Sequence, residues 1–303
     1  MSKIVGIGAC VMDTLISLDT YPKEDTKLRA QGSRPAGGGP VATGIVAVAK
    51  LGESADYIGV LADDNGGQFL LQDFAKYGVG TSLVDLKSGY RSFTSVIWLA
   101  KDSASRTCVF DKGDLPALQL NNSQIEAIKQ AEVLMVDGNE MDAAVEAAKI
   151  ARESGTTVLY DCGGLYAGVE RLLAWTDIMI PSEEFALGHS GCKSVEEAAR
   201  WLFDTYSPRV VVITRGKLGG LLYDGERMVS YPIYPAEVVD SNGSGDVFHG
   251  AYAAGVVKGY DFLKCCHFAS AVSAIKCMGL GARESVPCFD RVAQYMKENG
   301  YEL

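Results

Sequence analysis

The most constraining feature of this sequence is the regular alternation of strand-like and helix-like segments along most of its 303 residues. Short apolar runs rich in β-branched residues predict strands, and longer segments with apolar residues every three or four positions predict helices. Strands are predicted at 3–9, 55–60, 132–137, 156–161, 177–180 and 209–214, and helices at 39–50, 64–77, 121–131, 139–154, 194–206, 246–258, 261–278 and 288–298. This alternation is typical of an α/β fold whose mostly parallel sheet is covered by helices on both faces.

Two stretches break the alternation, because each has strand-like segments with no helix between them. They span 11–35 and 88–112. We expect one domain over 1–303, with these stretches paired into a small sheet that forms a lid on the α/β core. The alternative is that they are edge strands of the main sheet.

The charge balance limits the class of partner. The formal net charge is −10, whereas nucleic acids and anionic membranes require a basic surface. No apolar run reaches the roughly 20 residues that cross a bilayer, and Asp13 stands where a signal peptide would continue apolar. We therefore expect a cytoplasmic protein that binds small molecules, with no nucleic-acid or membrane partner.

A glycine-rich turn, DSNGSGD at 240–246, lies between a strand-like run and a small-residue helix. The amides of Gly243, Ser244 and Gly245 are predicted to converge at the helix N-terminus, beside the carboxylate of Asp246. A cradle for an anion next to a base suits phosphoryl transfer. The alternative is an ordinary capped turn between a strand and a helix.

Other candidate contacts are in loops that follow predicted strands. The Gly37–Gly39 run precedes a helix that carries Thr43, and Asp13 follows the first strand, where open α/β sheets bind ligands. A third glycine-rich turn, 214–220, suits nucleotide phosphates or ribose, but it also suits a hairpin. Two familiar nucleotide motifs are absent: Val11 occupies the third glycine position of a dinucleotide fingerprint, and no Walker-type loop is present.

The order of these motifs along the chain resembles that of the ribokinase-like, or PfkB, family of sugar kinases. The resemblance rests on Asp13, the glycines at 37–39, Thr214-x-Gly216-x-x-Gly219, DSNGSGD, and GARESVP at 281–287. It implies a ribokinase-like α/β fold, with a central mostly parallel sheet, helices on both faces and a small β-sheet lid. Within the family, the segments GGGPVAT, DVFHGA and FASAVSAIKC are most similar to the sulfofructose kinase branch.

The resemblance also implies roles for individual residues. Asp246 matches the catalytic base, and Gly243, Ser244 and Gly245 match the anion hole. The implied sugar contacts are Asp13, Gly38, Gly39 and Thr43, and the implied nucleotide contacts are Thr214, Gly216, Gly219 and Ser270.

The implied cofactors are ATP and Mg²⁺, with K⁺ at Asp240 and Asn242. The family's NxxE element would fall at 182–185, where the sequence is SEEF. Neither the asparagine nor the final glutamate is present, so Glu183 is the remaining candidate to reach Mg²⁺ through water. Thr43 replaces the asparagine common in ribokinases, which weakens an assignment to ribose.

We therefore predict transfer of the γ-phosphate of ATP to a primary hydroxyl of a sugar or sugar derivative. Fructose, sulfofructose, a keto-deoxy sugar acid and ribose stay open as acceptors, and a nucleoside kinase or a non-catalytic sensor with the same fold are the alternatives. The segments 21–35 and 88–112 carry eight basic and four acidic side chains. This excess of positive charge would attract an anionic acceptor, with Lys27 as the first candidate contact, but solvated surface charge is the favoured interpretation. Exposed lid strands predict a homodimer formed through the lid.

Overall fold

The computed structural model describes residues 2–103 and 105–302, and it has the alternating strands and helices that the sequence predicts. The strands are β1 Ile4–Ile7, β2 Val11–Leu18, β3 Gly32–Gly38, β4 Ala55–Ala62, β5 Val84–Lys87, β6 Thr94–Ala100, β7 Ser105–Asp111, β8 Val133–Val136, β9 Thr157–Cys162, β10 Ile178–Pro181, β11 Val210–Thr214, β12 Gly220–Tyr223 and β13 Met228–Tyr231. The helices are α1 Pro40–Lys50, α2 Asn65–Tyr77, α3 Asn122–Gln130, α4 Met141–Ser154, α5 Val169–Leu173, α6 Glu183–Ser190, α7 Val195–Tyr206, α8 Ser244–Val257, α9 Phe262–Cys277 and α10 Phe289–Glu298.

The large sheet has nine strands in the order β13-β12-β11-β10-β9-β8-β1-β4-β5. Its strands run parallel from β11 to β5, and β12 pairs antiparallel with both β11 and β13. Two separate clusters of buried apolar side chains, one on each face, join the sheet to the helices. Because parallel strands place their carboxyl ends at the same edge, the loops that follow β1, β8, β9 and β11 all lie at that edge of the sheet.

The stretches that break the alternation form a second sheet of four strands, in the order β3-β2-β6-β7. Strand β2 pairs antiparallel with β3 and parallel with β6, and β7 pairs antiparallel with β6. The lid prediction is therefore confirmed, and the alternative of edge strands in the main sheet is wrong. In the described part of the chain, no helix is long and apolar enough to cross a membrane.

The elements that sequence patterns miss are short. Strand β5 has four residues, all partly or fully exposed, and α5 has only five. Such segments carry too few turns or alternations to show a period. Longer helices end as predicted, since Gly78 has a φ of 76° and ends α2 in the left-handed conformation.

Candidate active site

The loop at 240–246 separates two cavities. Gly243 caps α8 with a φ of 73°, which favours glycine, and Asp246 lies in the first turn of that helix. Asn242, Gly243 and Asp246 line one cavity, and Ser241, Ser244 and Gly245 line the other. The predicted base and part of the predicted anion hole thus lie on opposite sides of one turn.

Two of the three amides predicted to form the anion hole are available to donate a hydrogen bond to a ligand. The Ser244 N–H donates to the Ser241 carbonyl oxygen at 3.2 Å, as part of the turn itself. Among the described residues, the N–H groups of Gly243 and Gly245 have no acceptor. Amides at a helix N-terminus without an acceptor favour a bound anion.

The larger cavity, about 320 Å³, lies between the β11–β12 turn and helices α8 and α9. All four residues that the resemblance implied as nucleotide contacts line it: Thr214, Gly216, Gly219 and Ser270. Aromatic side chains of Tyr231, Tyr234 and Phe248 provide the apolar surfaces that a purine base packs against. We refer to it as the nucleotide cavity.

The turn at 214–220 fits both sequence-based predictions, a hairpin turn and a nucleotide contact. It is a hairpin turn, because β11 and β12 pair antiparallel, and it also lines the nucleotide cavity. Gly219 has a φ of 80°, and a Cβ atom there would lie 2.2 Å from the Tyr231 carbonyl oxygen. Only glycine fits at this position. Its small size allows the β11–β12 turn to lie against Tyr231 at the edge of the nucleotide cavity.

The smaller cavity, about 170 Å³, lies between the lid and the carboxyl edge of the large sheet. The residues implied as sugar contacts, Asp13, Gly38, Gly39 and Thr43, line it together with Asp246. The lid contributes Phe93, Ser95, Ile97, Cys108 and Phe110. We refer to it as the acceptor cavity.

Asp13 is a buried carboxylate held by the lid. It pairs in register with Ser95 of β6, whose Oγ donates to Asp13 Oδ1 at 2.6 Å. Burial raises the pKa of Asp13 to about 6, although the Ser95 hydrogen bond and the Arg283 charge act against this shift. The free oxygen, Oδ2, is available to accept a hydroxyl hydrogen.

Glycine is required at 38 and 39 because the backbone there lies very close to other atoms. A Cβ atom on Gly38 would lie 2.0 Å from Asp13 Oδ2, and one on Gly39, whose φ is 93°, would lie 2.2 Å from the Ala9 carbonyl oxygen. A side chain at either position would displace the carboxylate or the β1–β2 loop. The run therefore lets the backbone pass directly beside Asp13.

Sequence reasoning missed Arg283, which holds this loop from behind. Its side chain is 1% exposed and forms an ion pair with Asp73 at 2.7 Å. It also donates to the Gly38 carbonyl oxygen at 2.7 Å and lies over the ring of Phe74. The segment after α9 thus supports the acceptor cavity, a contact across more than 200 positions that no local pattern reveals.

Behind the loop at 240–246 is a second buried group that the sequence did not single out. His249 Nε2 lies 2.9 Å from the Ile180 carbonyl oxygen, and Nδ1 lies 2.6 Å from that of Gly245 and 3.2 Å from Asp161 Oδ2. Burial raises the pKa of Asp161 to about 7, and the interaction with His249 limits this rise. His249 therefore links the loop to strands β9 and β10.

The pKa of Asp246 depends more on burial than on its position at the start of a helix. A helix N-terminus should lower it and make the carboxylate a weak base. Instead, burial raises the pKa, and the neighbouring His249 and Arg106 oppose the rise without reversing it. A raised pKa makes Asp246 a stronger base than its position in the helix indicates.

Three predicted contacts lie elsewhere. Lys27 is exposed on the loop between β2 and β3 and does not line the acceptor cavity, so the geometry does not support it as an anion contact. Glu183 lines neither cavity and forms an ion pair with Arg215 at 3.3 Å. Asp240 is buried behind the loop, where it binds Lys276, and only Asn242 of the proposed K⁺ pair borders a cavity.

The chain is similar in sequence to known carbohydrate kinases. The family model described as "pfkB family carbohydrate kinase" matches residues 1–288. The chain is 27% identical over 293 residues to a 5-dehydro-2-deoxygluconokinase of Clostridium perfringens, covering 88% of this chain and 85% of that protein. It is 25% identical over 299 residues to the ribokinase of Bacillus subtilis, covering 98% of this chain and 100% of that protein.

Solved structures confirm the fold. The ribokinase of Arabidopsis thaliana, solved with ribose and ATP, superposes with a TM-score of 0.87 at 23% identity, covering 98% of this chain and 99% of that chain. A putative ribokinase from Agrobacterium tumefaciens superposes with a TM-score of 0.91 at 24% identity, covering 98% of each chain. At these identities the structures bear on the fold alone.

Proposed function

The chain belongs to the pfkB family of carbohydrate kinases, and we propose that it transfers the γ-phosphate of ATP to a primary hydroxyl group of a sugar or sugar derivative, with Asp246 as the base. One observation carries this proposal. The loop at 240–246 is shared by two cavities, with Asp246 on the acceptor side and Ser244 and Gly245 on the nucleotide side.

The chemistry follows from that arrangement. The acceptor hydroxyl oxygen forms a bond to the γ-phosphorus while the bond to the oxygen that bridges the β- and γ-phosphates breaks, and ADP leaves. Asp246 takes the hydroxyl proton as the new bond forms. The amides of Gly243 and Gly245 hold the transferring group where its negative charge is greatest.

The site fits Mg²⁺ delivered with the nucleotide. Among the described residues, no three His, Cys, Asp or Glu side chains converge closely enough to hold a metal ion. Mg²⁺ binds triphosphate oxygens and keeps several waters, so it does not need such a cluster. The ion would neutralise phosphate charge, and Glu183 is a poor ligand because Arg215 already pairs with it.

We propose that the acceptor is anionic and that Arg106 contacts its anionic group. Ser95 and Ile97 pair with Phe110 and Cys108, and all four line the acceptor cavity. Arg106 is two positions further along β7, so its side chain is on the same face of the lid. Its guanidinium is close enough to Asp246 to lower the pKa of that carboxyl.

Other lid cations are less suitable. Arg34 and Arg91 are already paired with acidic side chains, and Lys27 lies outside the cavity. A guanidinium binds a carboxylate or sulfonate through two parallel hydrogen bonds. The relatives named 5-dehydro-2-deoxygluconokinase support a keto-deoxy sugar acid, and those named ribokinase support ribose.

The test is an acceptor panel. ADP release would be measured with Mg²⁺·ATP and fructose, ribose, a nucleoside, sulfofructose and keto-deoxy sugar acids, with Asp246→Asn as the control for contaminating kinases. We expect turnover on at least one sugar, with the highest kcat/KM on an anionic acceptor. Turnover that persists unchanged in the Asp246→Asn protein would refute the assignment of the base, and a neutral sugar as the best acceptor would refute the anionic class.

We also propose a homodimer formed through the lid. Strand β7 is an open edge, and every residue of it is exposed, including Val109 at 64% and Phe110 at 59%. Such an edge favours pairing with a second copy. A monomeric mass in solution would refute the proposal.

A further inference from the structure

Lys276, near the end of α9, is a lysine with no solvent exposure. Its ammonium group donates to the Asp240 carbonyl oxygen at 2.7 Å and lies 3.9 Å from Asp240 Oδ2. A buried charge is costly unless it is paired and hydrogen-bonded. Here the cost is offset by Asp240, the first residue of the loop at 240–246, which provides both a hydrogen bond and a negative charge.

The Asp240 carboxylate is already fully engaged. Its Oδ1 accepts from the Asn242 N–H at 2.8 Å, and its Oδ2 accepts from the Gly281 N–H at 2.9 Å. The residue therefore ties the loop to the segment that follows α9. Lys276 supplies the positive charge that this buried carboxylate would otherwise lack.

The contacts of Lys276 bear on the K⁺ ion expected at Asp240 and Asn242. An alkali cation binds carbonyl and carboxylate oxygens, and the ammonium group of Lys276 already donates to the carbonyl oxygen of Asp240 and pairs with its carboxylate at 3.9 Å. Two positive charges at one carboxylate would repel each other in a buried site. The residues present do not fit K⁺.

We propose that the ammonium group of Lys276 takes the place of the monovalent cation, so that this protein works without K⁺. Lys276 is then a positioning residue that acts through Asp240. A second contact from the same helix, between the Ser273 hydroxyl and the Ser244 carbonyl oxygen, holds the loop on its other side. Helix α9 thereby fixes the amides and the Asp246 carboxylate that the proposed reaction uses.

The first experiment compares the wild-type protein in potassium and tetramethylammonium salts at a matched ionic strength of about 0.1 M. We expect kcat and KM to agree within about twofold, because the internal ammonium does not exchange with the solvent. Activation by K⁺ of about tenfold or more would overturn the proposal.

The second experiment uses Lys276→Met, which keeps the length of the side chain and removes its charge. We expect kcat in tetramethylammonium salt to fall about 10- to 100-fold, since a buried carboxylate loses its partner. K⁺ or ammonium should restore part of the rate by entering the vacated space. Lys264→Met, on the same helix and over the ring of Tyr260, is the control and should respond to neither salt.

The inference rests on the proposed kinase activity, and a third measurement separates the two. The midpoint of thermal unfolding and the Kd for ADP need no acceptor and would be compared in the two salts. We expect K⁺ to raise the midpoint of Lys276→Met and to leave that of the wild type unchanged. A Lys276→Met protein that is weakened but indifferent to K⁺ and ammonium would overturn the inference, even if the kinase assignment holds; Lys276→Gln is the substitute if the methionine variant does not fold.

Discussion

The nucleotide cavity and the acceptor cavity share one loop but are lined by different kinds of groups. The nucleotide cavity is formed by main chain, small residues and aromatic rings, and Lys217 is the single charged side chain among the described residues that line it. The acceptor cavity contains the carboxylates of Asp13 and Asp246, and Arg106 lies on the same face of its lid.

This difference explains why one ligand is easier to name than the other. A triphosphate is recognised by amides and close backbone approach, which require glycine and therefore leave a visible pattern in the sequence. A sugar is recognised by side chains that come from separate segments. The reaction class is therefore much better determined than the acceptor.

The largest expected effect is at the shared loop. Asp246→Asn removes the proton acceptor and keeps the shape of both cavities, so we expect kcat to fall about 10²- to 10⁴-fold while the Kd values for ATP and acceptor change little. Single-turnover rates and equilibrium binding would separate the two quantities. Near-normal turnover would mean that Asp246 is not the base.

The next effect distinguishes the acceptor cavity from the rest of the lid. Arg106→Gln should raise KM for an anionic acceptor about 10- to 100-fold, the worth of hydrogen bonds to a charged group, and leave KM for ATP unchanged. Lys27→Gln removes a lid cation outside the cavity and is the matched control. If Lys27→Gln raises KM for the acceptor and Arg106→Gln does not, the anion contact is at the position first indicated by the sequence.

The smallest effect concerns pH. The pKa of Asp13 is raised to about 6 by burial, and the carboxylate must be ionised to accept hydroxyl hydrogens. We therefore expect kcat/KM for the acceptor to fall about tenfold for each unit of pH below 6, as Asp13 takes up a proton.

No carboxylate among the described residues lines the nucleotide cavity, so the Kd for ADP without acceptor should change between pH 5 and about pH 8 only as the terminal phosphate of ADP, with a pKa of about 6, takes up a proton. Loss of ADP binding beyond that change, in parallel with acceptor kcat/KM, would show that the acid limb reflects partial unfolding. Circular dichroism at each pH provides that control.

Much of the fold could be predicted because its longest elements carry their own periodicity. Helices α1, α2, α4 and α7 and the buried strands of the large sheet lie within one or a few residues of their predicted bounds. The lid was predicted because the stretches 11–35 and 88–112 each have strand-like segments with no helix between them. The elements β5 and α5 are too short to show a periodic sequence pattern, and they form because of tertiary contacts.

The residues of the candidate site also fall into two groups, those that a local sequence pattern indicates and those that it does not. Asp13, Gly38, Gly39, Thr43 and Asp246 could be selected as candidates because they lie in motifs that resemble those of the family, and the structure brings them to one cavity. Arg283 and Lys276 could not be found. Each is a basic residue near the end of a helix or in a loop, and such residues are normally exposed.

The sequence by itself therefore determined the α/β class, the lid and the glycine-rich loops, because local periodicity and backbone conformation are properties of neighbouring residues. Tertiary structure alone decided which charges are buried and what they contact. The pairing of Arg283 with Asp73, and of Lys276 with Asp240, joins segments that folding brings together from separate parts of the chain. The energy of a charge depends on its surroundings and not on its neighbours in sequence, so only the folded chain shows that the ammonium group of Lys276 is buried against Asp240.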